Sequence, residues 1–82
     1  MRIVFSDHAR AQMDERNIRE EAILRAMENP DKVVKQRGNR FAAQKLIHKN
    51  SKKYLLVVAY DEIGDMREIV TSFVTTKFKK YL

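Results

Sequence analysis

Seven consecutive apolar residues, Tyr54-Leu55-Leu56-Val57-Val58-Ala59-Tyr60, sit in the second half of an 82-residue chain. The run has the length of a strand and falls far short of the roughly 18 residues of a membrane span. Strand side chains alternate between two faces, so a run that is apolar at every position must be covered on both. A central strand, with neighbours on each side and material above and below, is the arrangement that meets this demand.

The flanking segments supply neighbours. Arg40 to His48 alternates, with Phe41, Ala43, Lys45 and Ile47 on one face and Ala42, Gln44, Leu46 and His48 on the other. Arg67 to Thr75 reads as the last strand, with Ile69, Thr71 and Phe73 opposite Val70, Ser72 and Val74. Val33 and Val34 lie in a short strand. The connections are Arg37-Gly38-Asn39-Arg40, the polar turn Lys49 to Lys53, and Asp61 to Asp65. Each is short, so consecutive strands after Pro30 run antiparallel.

Ahead of these strands the period changes. Arg2 to Phe5 reads as a strand or extended lead-in. Ser6 is a good N-cap for a helix from about Asp7 to Arg16, with Ala9, Met13 and Arg16 on one face. Asn17 and Glu20 have the spacing of a capping box for a second helix. Its inward face is Ile23, Ala26 and Met27, and Pro30 stops it by disfavouring helical geometry at Asn29. The expected architecture is α+β: two N-terminal helices packed on a three- or four-stranded antiparallel β-meander, as one domain over 1–82. The tail from Thr76 to Leu82 reads as extended or as one helical turn.

Charge divides the chain. Residues 1–30 carry five Lys/Arg and six Asp/Glu, whereas residues 31–82 carry twelve and five. A basic half of this kind attracts polyanions, RNA first among them, or else is a solvated surface that keeps the protein in solution. The absence of cysteine excludes disulfides and thiolate metal sites. The start MRIVFSD does not read as a secretion signal, so the expected location is cytoplasmic, with no membrane association. Two histidines 40 residues apart do not make a metal site, and neither a glycine-rich phosphate loop nor a nucleophile elbow occurs. No cofactor is expected.

Several side chains could carry chemistry. An imidazole in the first helical turn, His8, can act as a general base on a ribose 2′-hydroxyl, or can be a surface histidine beside Ser6 and Gln12. A guanidinium ending an apolar stripe needs a partner or a function. Arg16 can hold a phosphate, or it can bond carbonyls at the end of its own helix or pair with an acid such as Glu20. Lys45 and Arg67 on the strands are candidates to steady the same phosphate. Tyr81 is a candidate acid or stacking group. Arg40, Lys77, Lys79 and Lys80 are candidate RNA contacts, and the tail interleaves its lysines with Phe78 and Tyr81. Alternatively those rings fasten the C-terminus to the core.

The residues His8-Ala9, Met13, Arg16 and Ile18 resemble the "HA…M…R…I" opening of a widespread prokaryotic domain family of unknown function. That family looks like part of the RelE/ParE-like superfamily, which also includes the BrnT toxins. The likeness continues through Glu21-Ala22-Ile23, Asn29-Pro30, the strand with Thr71, and Lys79-Lys80-Tyr81. Gln12 departs from it, since an arginine often precedes the methionine. The resemblance implies an α+β toxin-like fold, metal-independent cleavage of mRNA, and neutralisation by an antitoxin protein; ParE-type relatives act on gyrase instead. The leading expectation is thus an endoribonuclease of a toxin–antitoxin system with His8, Arg16, Lys45, Arg67 and Tyr81 at its site. The alternative is a non-catalytic RNA- or protein-binding module.

Overall fold

The computed structural model describes residues 2–78. Its elements are β1 (Arg2–Phe5), α1 (Asp7–Arg16), α2 (Glu20–Glu28), β2 (Lys32–Lys35), β3 (Arg40–Lys49), β4 (Lys52–Ile63) and β5 (Met66–Thr75). The strands form a single sheet in the order β1-β5-β4-β3-β2. β4 is central, and Leu55 through Tyr60 are all buried. The fold class is α+β with two helices, as the hydrophobic pattern requires.

The sheet has five strands and is mixed, where three or four antiparallel strands were expected. From β2 to β5 every neighbour is antiparallel, but β1 pairs in parallel with β5, Arg2 opposite Met66 and Phe5 opposite Ile69. The β1–β5 pairing joins the two ends of the chain, and no local turn signal could announce it. It puts β1 and β2 on opposite edges. The helices carry the chain from one edge to the other across a single face, α1 over β5 and α2 over β3 and β4.

Both helices are cut where local chemistry dictates. Ser6 accepts the Ala9 N–H at 3.0 Å and starts α1. Asn17 ends α1; it is not the cap of α2. It takes the left-handed conformation (φ 54), while its N–H bonds Asp14 O and the Ile18 N–H bonds Met13 O at 2.9 Å. That is a Schellman closure, and asparagine tolerates the positive φ it needs. The second helix begins instead at Arg19, which is extended and makes no side-chain cap bond. Glu20 and Glu21 in its first turn complement the helix dipole.

Helices and sheet meet in one core containing Ala9, Met13, Ile18, Ile23, Ala26, Met27, Ala43, Leu56, Val58, Tyr60 and Ile69. The alternation along β3 is as read, with Phe41, Ala43 and Ile47 toward the helices. Along β5 it breaks. Tyr60 pairs with Ile69 but Ala59 pairs with Thr71, so Val70 is an extra residue in a β-bulge. Ser72 and Val74, opposite Val58 and Leu56, therefore share the helix-facing side with Ile69. On the other face Ala42, Leu55 and Val57 form a second cluster, against which Phe73 and Phe78 pack. Phe78 thus fastens the end of β5 to the sheet. Lys79, Lys80 and Tyr81 lie outside the described residues.

Ile23 has no exposed surface and seats α2 on the sheet. Ile23→Ala is expected to lower stability by about 2–5 kcal/mol. Urea denaturation should show a lower midpoint with an unchanged slope.

Candidate nucleic-acid interface

Where α1 hands over to α2, the chain stands above the ends of β3, β4 and β5, and a groove of about 620 Å³ opens between them. Its wall is Arg16, Asn17, Ile18 and Arg19 from the helix junction, with Ala22 behind. Its floor is Ile47, Tyr54, Leu56 and Val74, and its far rim is Lys49 and Asn50. Among the described residues three cations line the groove and no acid does. Tyr54 is half-buried, and Val74 is 40% exposed, among the more exposed large apolar side chains of the described residues.

Local structure aims these groups. Asn50 and Ser51, both at positive φ, make the tight turn that ends β3 at Lys49 and returns the chain as β4. Lys49 follows Ile47 on the helix-facing side, because alternate residues share a face. The Schellman turn at Asn17 buries Ile18, and Arg19 then leaves in extended conformation above the floor. The Arg16 guanidinium donates through Nη1 to the main-chain oxygen of Ser72. Its expected need for a partner is met by the sheet, not by Glu20.

A second depression of about 490 Å³ lies on the outer side of the same junction. Asp14, Glu20 and Glu21 line it along with Arg10 and Arg19, so its lining is mixed and slightly acidic where that of the first groove is basic. Arg10 is engaged there by Glu20 at 4.0 Å and lies over the Phe5 ring.

The other candidate residues are dispersed. His8 is exposed in the first turn of α1 and lines none of the described depressions. Eight residues separate it from Arg16, about 12 Å along the helix axis. Lys45 faces Asp31 at 3.9 Å. Arg67 bonds Glu62 at 3.1 Å and lies over the Tyr60 ring, 5.4 Å from its centre. Arg40 holds Asp61 by two hydrogen bonds of 2.7 and 3.0 Å. Lys77 is exposed just beyond β5, its N–H bonded to Thr75 Oγ1. Of the described candidates, only Arg16 reaches the groove.

Arg19, Lys49 and Tyr54 line the groove and were not among the residues singled out from the sequence. A signal existed. Between Asp31 and Asp61 the chain carries no acid at all, and after Glu68 it carries none either. The β3–β4 hairpin tip and the end of β5 fall within these two stretches and are neighbours in space.

The chain belongs to a known family. The profile described as Domain of unknown function (DUF4258) matches residues 5–79. No curated protein and no solved structure matches the chain. The DUF4258 match runs from the last residue of β1 past the end of β5, so it takes in every wall and floor of the groove. Among the described residues no cluster of three His, Cys, Asp or Glu could hold a metal, and no described helix is long and apolar enough to cross a membrane.

The Arg40–Asp61 pair has a measurable pH signature. The Arg40 guanidinium holds the Asp61 carboxyl below its ordinary value, first by hydrogen bonding. A depressed carboxylate pKa stabilises the fold above the unfolded value near about 3.9, and that contribution is lost as pH falls through the folded value. In Arg40→Gln the carboxyl NMR titration of Asp61 should move up toward the ordinary range. The acid-side loss of stability should shrink with it.

Proposed function

We propose that this protein is RNA-directed and that the groove between the α1–α2 junction and the β3–β4 hairpin tip receives the phosphodiester backbone. One observation carries the reading: Arg16, Arg19 and Lys49 line a single groove from which acids are absent. Three cations elsewhere on the sheet are spent on partners, Arg40 on Asp61, Lys45 on Asp31 and Arg67 on Glu62. A polyanion gains little at such pairs, because it must compete with a carboxylate already in place. In the groove it meets three cations with no carboxylate among the described lining residues.

The toxin-like assignment implied by the sequence resemblance extends this reading. A RelE/ParE-like protein with such a groove would be a metal-independent endoribonuclease, held in check by an antitoxin. Among the described residues Tyr54 has the only hydroxyl of the groove's lining side chains, which makes it the candidate proton donor. In that reaction the ribose 2′-hydroxyl gives its proton to water as its oxygen bonds the adjacent phosphorus, and the P–O5′ bond breaks with the 5′-oxygen taking the Tyr54 proton, which leaves a 2′,3′-cyclic phosphate and a 5′-hydroxyl. The three cations would stabilise the charge that builds on the phosphoryl oxygens. His8 lines none of the described depressions and is not part of this arrangement.

Binding of a labelled single-stranded RNA should weaken about 7- to 18-fold between 50 and 200 mM salt, as two to three phosphate contacts require. Lys49→Glu should abolish it, and Arg67→Gln should leave it unchanged. Binding that survives Lys49→Glu rejects the groove as the site. For the cleaving form, RNA should be cut in the presence of EDTA by the wild type and not by Tyr54→Phe. Intact RNA with the wild type leaves only the binding module.

A further inference from the structure

We propose that the cations of the groove have separate roles, with Arg16 positioning the wall while Arg19 and Lys49 make the phosphate contacts. The division rests on RNA occupying the groove.

Arg16 is anchored. Its Nη1 donates to the carbonyl of Ser72, a residue with no exposed surface that lies 56 positions away in the chain. A guanidinium held on a buried main-chain oxygen cannot swing to a ligand without giving up a charge-assisted hydrogen bond. The bond ties the last turn of α1 to the helix-facing side of β5, one strand residue before Phe73 packs onto the opposite face. The three residues that follow depend on that tie. Asn17 turns left-handed, Ile18 enters the core, and Arg19 emerges extended at the start of α2. Where Arg19 stands above the floor is therefore set by where Arg16 is fastened.

Arg19 and Lys49 are placed differently. They stand on opposite sides of the groove, one on the helix junction and one at the end of β3. Both are exposed, and neither makes an ion pair or a side-chain hydrogen bond among the described residues. Asn17 and Asn50 flank them on the same two rims. A phosphate between the rims would meet two unencumbered cations and one that is already bonded.

Salt titration separates the two roles, because each lost phosphate contact lowers the slope of log K against log salt by about 0.7 for a single strand. With a labelled single-stranded RNA, Arg19→Gln and Lys49→Gln are each expected to lower the slope by about that amount. Arg16→Gln is expected to weaken binding several-fold with the slope unchanged and to shift the amide NMR signals of residues 17–19 and 72. Arg16→Lys, which keeps one donor, should recover most of the affinity. A slope that drops by a full contact in Arg16→Gln overturns the division, as does a wild-type slope in Arg19→Gln or Lys49→Gln. The last two variants decide the matter even if Arg16→Gln does not fold. Failure of the wild type to bind RNA at all rejects the preceding functional reading and the phosphate roles with it. Binding with the slopes redistributed rejects only the division.

Discussion

Covering β4 on both faces is the demand around which the rest of this structure is arranged. Six consecutive buried residues need two layers, and an 82-residue chain has material for one proper core. The solution is unequal. Two helices cover one face, burying Leu56, Val58 and Tyr60, while the other face makes do with Phe73 and Phe78 over Leu55 and Val57. To reach their face the helices must bridge from the β1 edge to the β2 edge, and ten- and nine-residue helices do not roof a five-stranded sheet completely. The groove is the part left uncovered, under the corner where one helix gives way to the next.

The same bridging sorts the charges. The β4–β5 turn and the strand ends beside it carry Asp61, Glu62, Asp65 and Glu68. There they meet Arg40 and Arg67 across the sheet and settle them in ion pairs. Burial pushes the Tyr60 hydroxyl up at this end, with the Arg67 charge opposing it and Glu62 adding to it. The opposite end of the sheet has the β3–β4 tip and the finish of β5, with no acid from the strands to offset Lys49, Lys52, Lys53 and Lys77. Net charge is thus a poor guide to where a polyanion would sit. What distinguishes the groove is a lining without acids among the described residues, and exposed pairs such as Arg40–Asp61 remove cations from contention at little gain in stability.

How far the sequence can be read follows from the range of each interaction. Period-two alternation from Phe41 to Ile47 is local, and the faces of β3 are as the alternation requires. The Ser6 cap and the stop at Pro30 are likewise decided within a few residues, and α1 and α2 end where expected. Asn17 misleads because asparagine serves two positions, accepting bonds as an N-cap and tolerating positive φ after a helix. Only the Met13–Ile18 contact across the Schellman closure selects the second. The extra residue Val70 is invisible for another reason. A bulge is a mismatch between two strands, and neither strand shows it alone. Parallel pairing of β1 depends on contacts more than 60 residues apart along the chain.

The candidate site is legible only in part for the same reason. Arg16 stands out because a charge ending an apolar stripe is a local anomaly, and the anomaly resolves into a bond to Ser72 across the whole domain. Arg19, Lys49 and Tyr54 are ordinary where they stand: a residue between helices, a residue before a turn, an aromatic opening a strand. They become a site only because β3 and β4 fold back at Asn50 and the helix corner happens to overhang that hairpin. His8 illustrates the converse. Its position in a first helical turn invites a catalytic role, yet that turn lies at the far end of α1 from the corner that makes the groove. A side chain's chemistry can be read from its neighbours in sequence, but its role depends on which end of its helix the fold turns into a wall.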